Sequence, residues 1–247
     1  MIKLNLAPKP VELTDDEKAR LVAEFKATGD SVWKKPYIEK ALLEMSNNKC
    51  AYSEQVLDQE STYMEIDHFK CKTKYPNDVV TWGNLLPSCK KCNTTKFEHD
   101  VIAEPIVNPL IDVPKDFLYV QAFRYYARNK NSKGKTTIDI LALNDYLHFV
   151  RPRAMEALSV ADQIETLFEH LQLLSETGKS INRTISKIKS LLQSCGPLSS
   201  YSAVVSTYIL YECDTYQQLE DYLRNNGFWD EEFDSIKNVL SSISLEK

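Results

Sequence analysis

The sequence predicts an α+β fold that is mainly α-helical, and three observations lead to this prediction. Residues 14–29 and 36–48 have the apolar spacing and the end signals of two helices. The helical period is lost between Cys50 and His99, where short strand and turn signals replace it. From about Ala154 onward, apolar residues again recur at helical spacing. We therefore expect three regions, namely an N-terminal helical segment (1–48), a central mixed region (49–153) and a C-terminal helical region (154–247).

The two N-terminal helices have clear boundaries in the sequence. Thr14 and Glu17 fit a capping box at the start of the first helix, and Gly29 is expected to end it. Pro36 suits the first turn of the second helix, and Asn47 and Asn48 suit its end. In the C-terminal region, a glycine at position 178 is expected to separate two further amphipathic helices.

Residues 116–143 are expected to form a strand, a polar turn at 129–134 and a second strand or helix start. Within this stretch, "SKGKTT" is similar to a phosphate-binding loop. The first glycine of that motif would fall at Asn129, however, and no apolar strand comes before it. We therefore predict a surface hairpin turn there.

Composition limits the classes of function. The 247 residues are 43% hydrophobic and 26% charged, as in an ordinary globular protein. No apolar run reaches the roughly 18 residues that span a bilayer, and the N-terminus lacks a signal-peptide core, so we expect a cytoplasmic protein without a membrane partner. The net charge of -5 argues against nucleic-acid binding through the whole surface. Residues 69–97, however, contain six lysines and one acid, while residues 211–247 contain nine acids and three basic residues.

The central region contains a set of residues with the chemistry of a catalytic site. Asp67 and His68 stand side by side at the end of an apolar, strand-like run. Asn84 follows in a loop, and Asn93 follows at a helix start. An Asp-His pair alone is more often a satisfied surface pair than a catalytic one. These odds change only because all four residues occur in the order of a known family, described below.

Cysteines suggest a second site. Cys89 and Cys92 form a C-x-x-C pair, and Cys50 opens a second pair in which Ser53 stands where the other cysteine would be. Two such pairs can hold a tetrahedral Zn²⁺ if a fourth ligand exists. Three alternatives stay open: Cys71 completes the site, water or the serine fills the gap, or zinc has been lost. Thiols are expected rather than disulfides.

Three segments in this order resemble the HNH nucleases, namely "CAYSE" (50–54), "EIDHF" (65–69) and "WGNLLPSCKKCNTTK" (82–96). The resemblance is closer to the PtuB-like group, the HNH proteins found with retrons and with Septu-type antiphage systems, and it spans about residues 49–153. It implies a ββα-metal core, flanked here by the N-terminal helices and the C-terminal helical region.

The resemblance also implies roles for the residues. His68 would be the general base, and we expect it to be partly exposed. Asp67 and Asn93 would bind one Mg²⁺ or Mn²⁺, and Asn84 would clamp the loop so that the imidazole stays aimed. The cysteine pairs would hold a structural Zn²⁺. Nucleic-acid contacts would come from five lysines, which are Lys70, Lys72, Lys90, Lys91 and Lys96.

The function implied is that of a metal-dependent nuclease that cuts DNA or RNA, with tRNA among the candidate RNAs, as the effector of a retron or Septu-type defence system. Its expected partners are a PtuA-like ATPase of the SMC or ABC type and, in some systems, a retron reverse transcriptase with its RNA–DNA product. The acidic C-terminal helices would dock the ATPase. The alternative is a catalytically degenerate HNH module that acts as a binding subunit of a defence complex.

Overall fold

The computed structural model describes residues 1–57 and 63–247, and these form two units. The first unit contains residues 1–118 and 125–145, and the second contains residues 119–124 and 146–247. The predicted mainly helical α+β fold is confirmed. The residue at which we predicted the last region to begin, 154, lies inside a helix that starts at Arg151.

The elements of the first unit follow the chain in a simple order. They are α1 (Asp15–Thr28), α2 (Pro36–Met45), β1 (Met64–His68), β2 (Leu85–Cys89), α3 (Lys90–Lys96), β3 (Leu118–Gln121), β4 (Arg124–Ala127) and α4 (Ser132–Ile140), with part of the β3–β4 hairpin grouped in the second unit. The predicted ends of α1 are confirmed, because Thr14 accepts a hydrogen bond from the Glu17 N–H (3.1 Å) and Gly29 has a left-handed backbone (φ 78°). Helix α2 begins at Pro36 as predicted and ends at Met45, and the predicted exit residues Asn47 and Asn48 follow with positive φ angles of 54° and 56°.

A ββα unit lies at the centre of the first unit. Strands β1 and β2 pair antiparallel, with Met64 opposite Cys89 and His68 opposite Leu85. Helix α3 begins directly after β2 and packs against both strands. Ile66 of β1 packs into an apolar cluster with residues of α1 and α2. This packing fixes one side of the strand that ends in Asp67 and His68.

The single strand predicted at 116–128 is wrong, because the structure has a hairpin of β3 and β4 there. Ala122 and Phe123 make the turn with positive φ angles of 47° and 64°. Two consecutive residues in this conformation reverse the chain, but tight hairpin turns usually carry asparagine, aspartate or glycine at these positions. An Ala-Phe turn therefore gives no compositional signal.

The surface turn predicted at "SKGKTT" is also wrong, since these residues begin α4. The side chain of Asn131 caps the helix by accepting a hydrogen bond from the Gly134 N–H (3.0 Å). A β-carbon at Gly134 would lie 2.4 Å from the carbonyl oxygen of Phe117, so this position admits only glycine. The glycine that made the segment look like a turn is thus required by close packing inside a helix.

The second unit is built from helices. They are α5 (Arg151–Glu176), α6 (Asn182–Ser194), α7 (Ser202–Tyr211), α8 (Asp214–Asn225) and α9 (Glu231–Ile243). Gly178, with φ of 64°, separates α5 from α6 as predicted. A single apolar core joins residues of all five helices, among them Ile164, Ile188 and Leu219. Among the described residues, no helix is both long and apolar enough to cross a membrane.

Candidate functional site

His68 is the last residue of β1, and its ring is held on two sides. Its Nε2 lies 2.9 Å from the carbonyl oxygen of Val79, and its ring makes a T-shaped contact with the ring of Trp33 at a centroid distance of 4.5 Å. The prediction of partial exposure is wrong: only 5% of the residue is exposed, because these neighbours cover it. A carbonyl oxygen only accepts hydrogen bonds, so Nε2 carries the proton and Nδ1 carries the lone pair of the neutral ring.

Burial determines the protonation state of this imidazole. Removal from water disfavours the charged ring and lowers the pKa of His68 from 6.5 to about 4, and the nearby cations Lys72 and Lys96 act in the same direction. The Asp67 charge and the Val79 carbonyl oppose this effect but do not outweigh burial. The imidazole of His68 is therefore uncharged at neutral pH.

A cavity of about 390 Å³ lies beside His68. Glu65, Asn93 and Lys72 also line it, and the amide nitrogen of Asn93 donates a hydrogen bond to the Glu65 carboxylate (3.2 Å). An amide whose nitrogen is used in this way has its oxygen left as an acceptor. The cavity thus brings together an imidazole, a carboxylate and an amide. Carboxylate and amide oxygens are the ligands that Mg²⁺ and Mn²⁺ prefer.

Asp67 does not line this cavity. It is 3% exposed, and its two carboxylate oxygens accept hydrogen bonds from the Tyr52 hydroxyl (2.5 Å) and from the Lys96 ammonium (3.0 Å). Lys96 also donates to the backbone carbonyl of His68 (2.7 Å). The expected ligand pair was Asp67 and Asn93. The structure instead brings Asn93 together with Glu65.

Asn84 links the two backbone segments that determine the position of the imidazole. Its side-chain oxygen accepts from the N–H of Lys70 (2.8 Å), and its nitrogen donates to the carbonyls of Lys70 (3.2 Å) and Asp78 (3.1 Å). Lys70 follows His68 by two residues, and Asp78 precedes Val79, whose carbonyl holds the ring. The amide thus makes the clamp contacts expected of it, and it ties the segment after His68 to the segment that contains Val79.

The five lysines expected to contact nucleic acid have different environments. Lys96 is buried in its ion pair with Asp67, so its assignment to a nucleic-acid surface is wrong. Lys70 and Lys91 are each paired with an aspartate, at 3.0 and 2.8 Å. Lys90 is exposed, and Lys72 lines the cavity with its ammonium 5.2 Å from the centre of the Trp33 ring.

The three cysteines Cys50, Cys89 and Cys92 form a buried cluster, with all three sulfur atoms within 4.8 Å of one another. Tetrahedral zinc with Zn–S bonds of about 2.3 Å separates its sulfurs by roughly 3.8 Å, so small shifts would fit the ion. Ser53 occupies the fourth side, with its hydroxyl 3.6 Å from the Cys89 sulfur and its N–H 3.5 Å from the Cys50 sulfur. Cys71 is not a member of the cluster and lines the His68 cavity instead.

The thiols of this cluster share their charge unequally. Burial alone would raise the pKa of Cys50, but hydrogen bonds from Cys89, Cys92 and Ser53 bring it well below its usual value. The hydrogen bond to Cys50 raises the pKa of Cys89 to about 12, and burial raises the pKa of Cys92 well above its usual range. Three sulfurs that already favour one thiolate form a ready ligand set for a soft cation.

Two residues of the site, Glu65 and Tyr52, were not among those predicted from the sequence. Strand periodicity could have found the first, because residues two apart in a strand point to the same side, as Glu65 and Asp67 do toward α3. Tyr52 gave no such signal, since its contact with Asp67 joins a loop to a strand across 15 positions.

Comparison with known proteins identifies the family. The chain is 41% identical to the Septu protein PtuB of Bacillus thuringiensis over an alignment of 251 positions, which covers 100% of this chain and 96% of the relative. It is 26% identical to the Septu protein PtuB of Bacillus mycoides strain KBAB4, with 77% and 82% of the two chains covered. No family model and no solved structure matches the chain. Identity at this level over the full chain shows that the protein belongs to the PtuB family of Septu proteins.

Proposed function

We propose that this PtuB-family protein is a metal-dependent HNH nuclease that hydrolyses phosphodiester bonds of DNA or RNA, tRNA included, as the effector of an antiphage defence system. The observation that carries the proposal is the setting of His68. Its proton is fixed on Nε2 by the Val79 carbonyl, and its ring borders a cavity that also exposes Glu65 and Asn93.

His68 acts as the general base in this proposal. Its Nδ1 takes a proton from a water molecule as the water oxygen bonds to phosphorus, and the bond from phosphorus to the leaving oxygen breaks. A base positioned in this way contributes roughly 10² to 10⁴ in rate. Asn84 acts on position, because its amide holds Lys70 and Asp78 and so keeps the imidazole and Val79 together.

The chain has residues that fit a divalent cation. Glu65 and Asn93 present hard oxygen donors to the cavity, and we propose that they hold Mg²⁺ or Mn²⁺ there. Asp67, the ligand expected from the sequence, would join them only by giving up its ion pair with Lys96. Such an ion, when bound, supplies positive charge to the phosphate and the leaving oxygen. The thiols of Cys50, Cys89 and Cys92 fit a separate, structural Zn²⁺.

One observation favours the alternative of a catalytically degenerate HNH module that binds without cutting. Both oxygens of Asp67 are used by Tyr52 and Lys96, so the carboxylate expected to bind the cation is occupied. A protein that had lost cleavage could keep this arrangement for stability alone. The two functions differ in a direct way, since only the nuclease produces new strand ends.

The partner we propose is a PtuA-like ATPase of the SMC or ABC type, joined in retron systems by the reverse transcriptase and its RNA–DNA product. The second unit exposes apolar side chains on α5, with Met155 60% and Leu158 44% exposed. The acidic residues expected to form the docking surface are partly engaged within the unit, as Glu220 binds Lys237 (2.6 Å) and Asp230 binds Lys189 (2.5 Å). The apolar face of α5 is therefore the stronger candidate.

The decisive experiment is cleavage by the assembled system. The chain and its ATPase are incubated with total cellular DNA and RNA in Mg²⁺, and the ends are mapped in parallel with the His68→Asn variant. We expect breaks that depend on His68 in one of the two polymers. The absence of such breaks in both would favour the degenerate module.

Docking on α5 has its own test. Met155→Lys with Leu158→Lys should abolish co-purification with the ATPase and leave the melting temperature within about 2 °C, because exposed substitutions change stability little. Retained co-purification would place the docking surface elsewhere on the chain.

A further inference from the structure

Two aromatic side chains at the rim of the His68 cavity are strongly exposed. Phe97 is 75% exposed and Tyr63 is 71% exposed, and both line the cavity. A single exposed aromatic residue is ordinary on a protein surface. Here two such residues lie at the mouth of one polar cavity that also contains a buried imidazole and an amide. This surface suits a ligand with flat apolar faces.

The backbone conformation of Phe97 also suggests that its exposed side chain has a function. Phe97 is the first residue after α3, and it has φ 45° and ψ -119°, a conformation that glycine adopts readily and other residues rarely do. Its side chain gains little from burial to offset this strain. A strained residue next to a candidate active site is a reason to look for a role beyond folding.

Two lysines line the same cavity as these rings. Lys34 is exposed and lines the same cavity, and Lys72 lines it with its ammonium over the Trp33 ring. Neither lysine belongs to an ion pair with a carboxylate among those found in the described ranges 1–57 and 63–247. Exposed rings interleaved with available cations are the arrangement by which proteins bind single-stranded nucleic acid, since bases stack on the rings while phosphates meet the cations.

We propose that Phe97 and Tyr63 are a stacking platform for unpaired bases, so that the substrate is a single-stranded segment of nucleic acid. This proposal rests on the nuclease function and names the substrate class of the same site. In an intact duplex the bases cover one another, and only an unpaired or extruded base offers a free face to Phe97 or Tyr63. Lys72 and Lys34 contact the flanking phosphates, and the phosphate nearest His68 is the one that is cut.

The test is a binding measurement on the full chain, in a His68→Asn background that prevents cleavage. The probes are fluorescein-labelled oligo(dT) and oligo(U) of about 16 nucleotides, within the range of known single-strand sites, and a blunt DNA duplex of equal length. Phe97→Gly removes the ring and relieves the backbone, so we expect about tenfold weaker binding of a single strand with no fall in melting temperature. Tyr63→Ala should weaken it to a similar degree, and Phe97→Trp should restore it.

Tyr146→Ala is the matched control, because Tyr146 is an aromatic residue of the second unit that is 59% exposed. It should leave all binding unchanged. The probe that binds with the lower Kd, oligo(dT) or oligo(U), identifies whether the site prefers DNA or RNA. Single-strand binding that ignores both rings, or preferential binding of the duplex, would overturn the proposal. So would variants whose only defect is loss of co-purification with the ATPase, which would make the rim a protein interface.

The outcomes also separate this proposal from the nuclease function. Ring-dependent binding of single strands by a protein that cuts no polymer would refute the nuclease and leave the stacking platform in place. His68-dependent cleavage that is unaffected by Phe97→Gly and Tyr63→Ala would do the reverse.

Discussion

The cavity beside His68 and the cluster of three cysteines lie in the same structural unit, yet they offer opposite environments to a metal ion. The cavity has oxygen donors from Glu65 and Asn93 and is open to solvent. The cluster has buried sulfur donors and is closed by Ser53. An open site leaves coordination positions for water and substrate, whereas a closed thiolate site stabilises structure. Under the proposed function, the cavity would hold the catalytic cation and the cluster would hold a structural one.

Loss of the base should give the largest effect. We expect His68→Asn to lower the rate of nucleic-acid cleavage by about 10² to 10⁴, because the attacking water loses its proton acceptor. Asparagine is preferable to alanine, since His68 is buried against Trp33 and truncation would leave a hole. The measurement is single-turnover cleavage by the chain with its ATPase.

His99→Asn is the matched control for this variant. His99 lies in the same unit, hydrogen-bonds the Glu104 carbonyl (2.7 Å) and does not line the cavity. It should retain parental rates. Equal rates for His68→Asn and the parent would remove His68 from the chemistry.

The cysteine cluster should affect stability rather than rate. At a free zinc concentration of about 100 times the Kd, bound zinc stabilises the folded protein by about 2.7 kcal/mol. Removing the ion should therefore lower the Tm by roughly 5 to 10 °C. We expect elemental analysis to find near-stoichiometric zinc in the parent protein. The Cys92→Ser variant should contain less zinc and have a lower Tm. Ser53→Cys should raise zinc affinity by supplying the fourth thiolate.

Cys195→Ser is the control for the zinc measurement, because Cys195 is another buried thiol and lies in the second unit outside the cluster. It should keep the parental zinc content. Protein that is purified without chelators and contains no zinc would show that the cluster is a set of buried thiols.

Local sequence signals predicted much of this architecture and less of its tertiary detail. The ends of α1 follow from Thr14 and Gly29, because capping is a property of adjacent residues. The burial and ion pairing of Asp67 and Lys96 depend on a contact between residues 29 positions apart, and no local sequence pattern specifies such a contact. The lysine counted as part of a basic surface is instead the buried counter-ion of the predicted metal ligand.

The lowered pKa of the His68 imidazole should make the free energy of unfolding depend on pH. His68 titrates near 6.5 when unfolded and at about 4 when folded, so the unfolded chain binds more protons between these values. Stability from this residue is complete above pH 6.5 and is lost as pH falls toward 4, by roughly 3 kcal/mol. Urea denaturation without added divalent cations should show this fall.

Other groups titrate in the same range, so the informative quantity is the difference between variants. His68→Asn should flatten the parental dependence by that amount. Identical pH profiles for the parent and His68→Asn would mean that the imidazole does not resist protonation in the folded protein.

The smallest expected effect decides which carboxylate of β1 serves the cavity. Glu65→Gln should weaken Mn²⁺ binding, measured by electron paramagnetic resonance of the free ion, by about tenfold, with the Tm preserved because Glu65 is only partly buried. Asp67→Asn should instead lower the Tm, because it leaves the Lys96 charge buried without its counter-ion. Asp67→Asn combined with Lys96→Met removes both charges and should recover stability. Loss of Mn²⁺ binding in this double variant, with Glu65→Gln unaffected, would assign the cation to Asp67 and make its ion pair with Lys96 the metal-free state of the site.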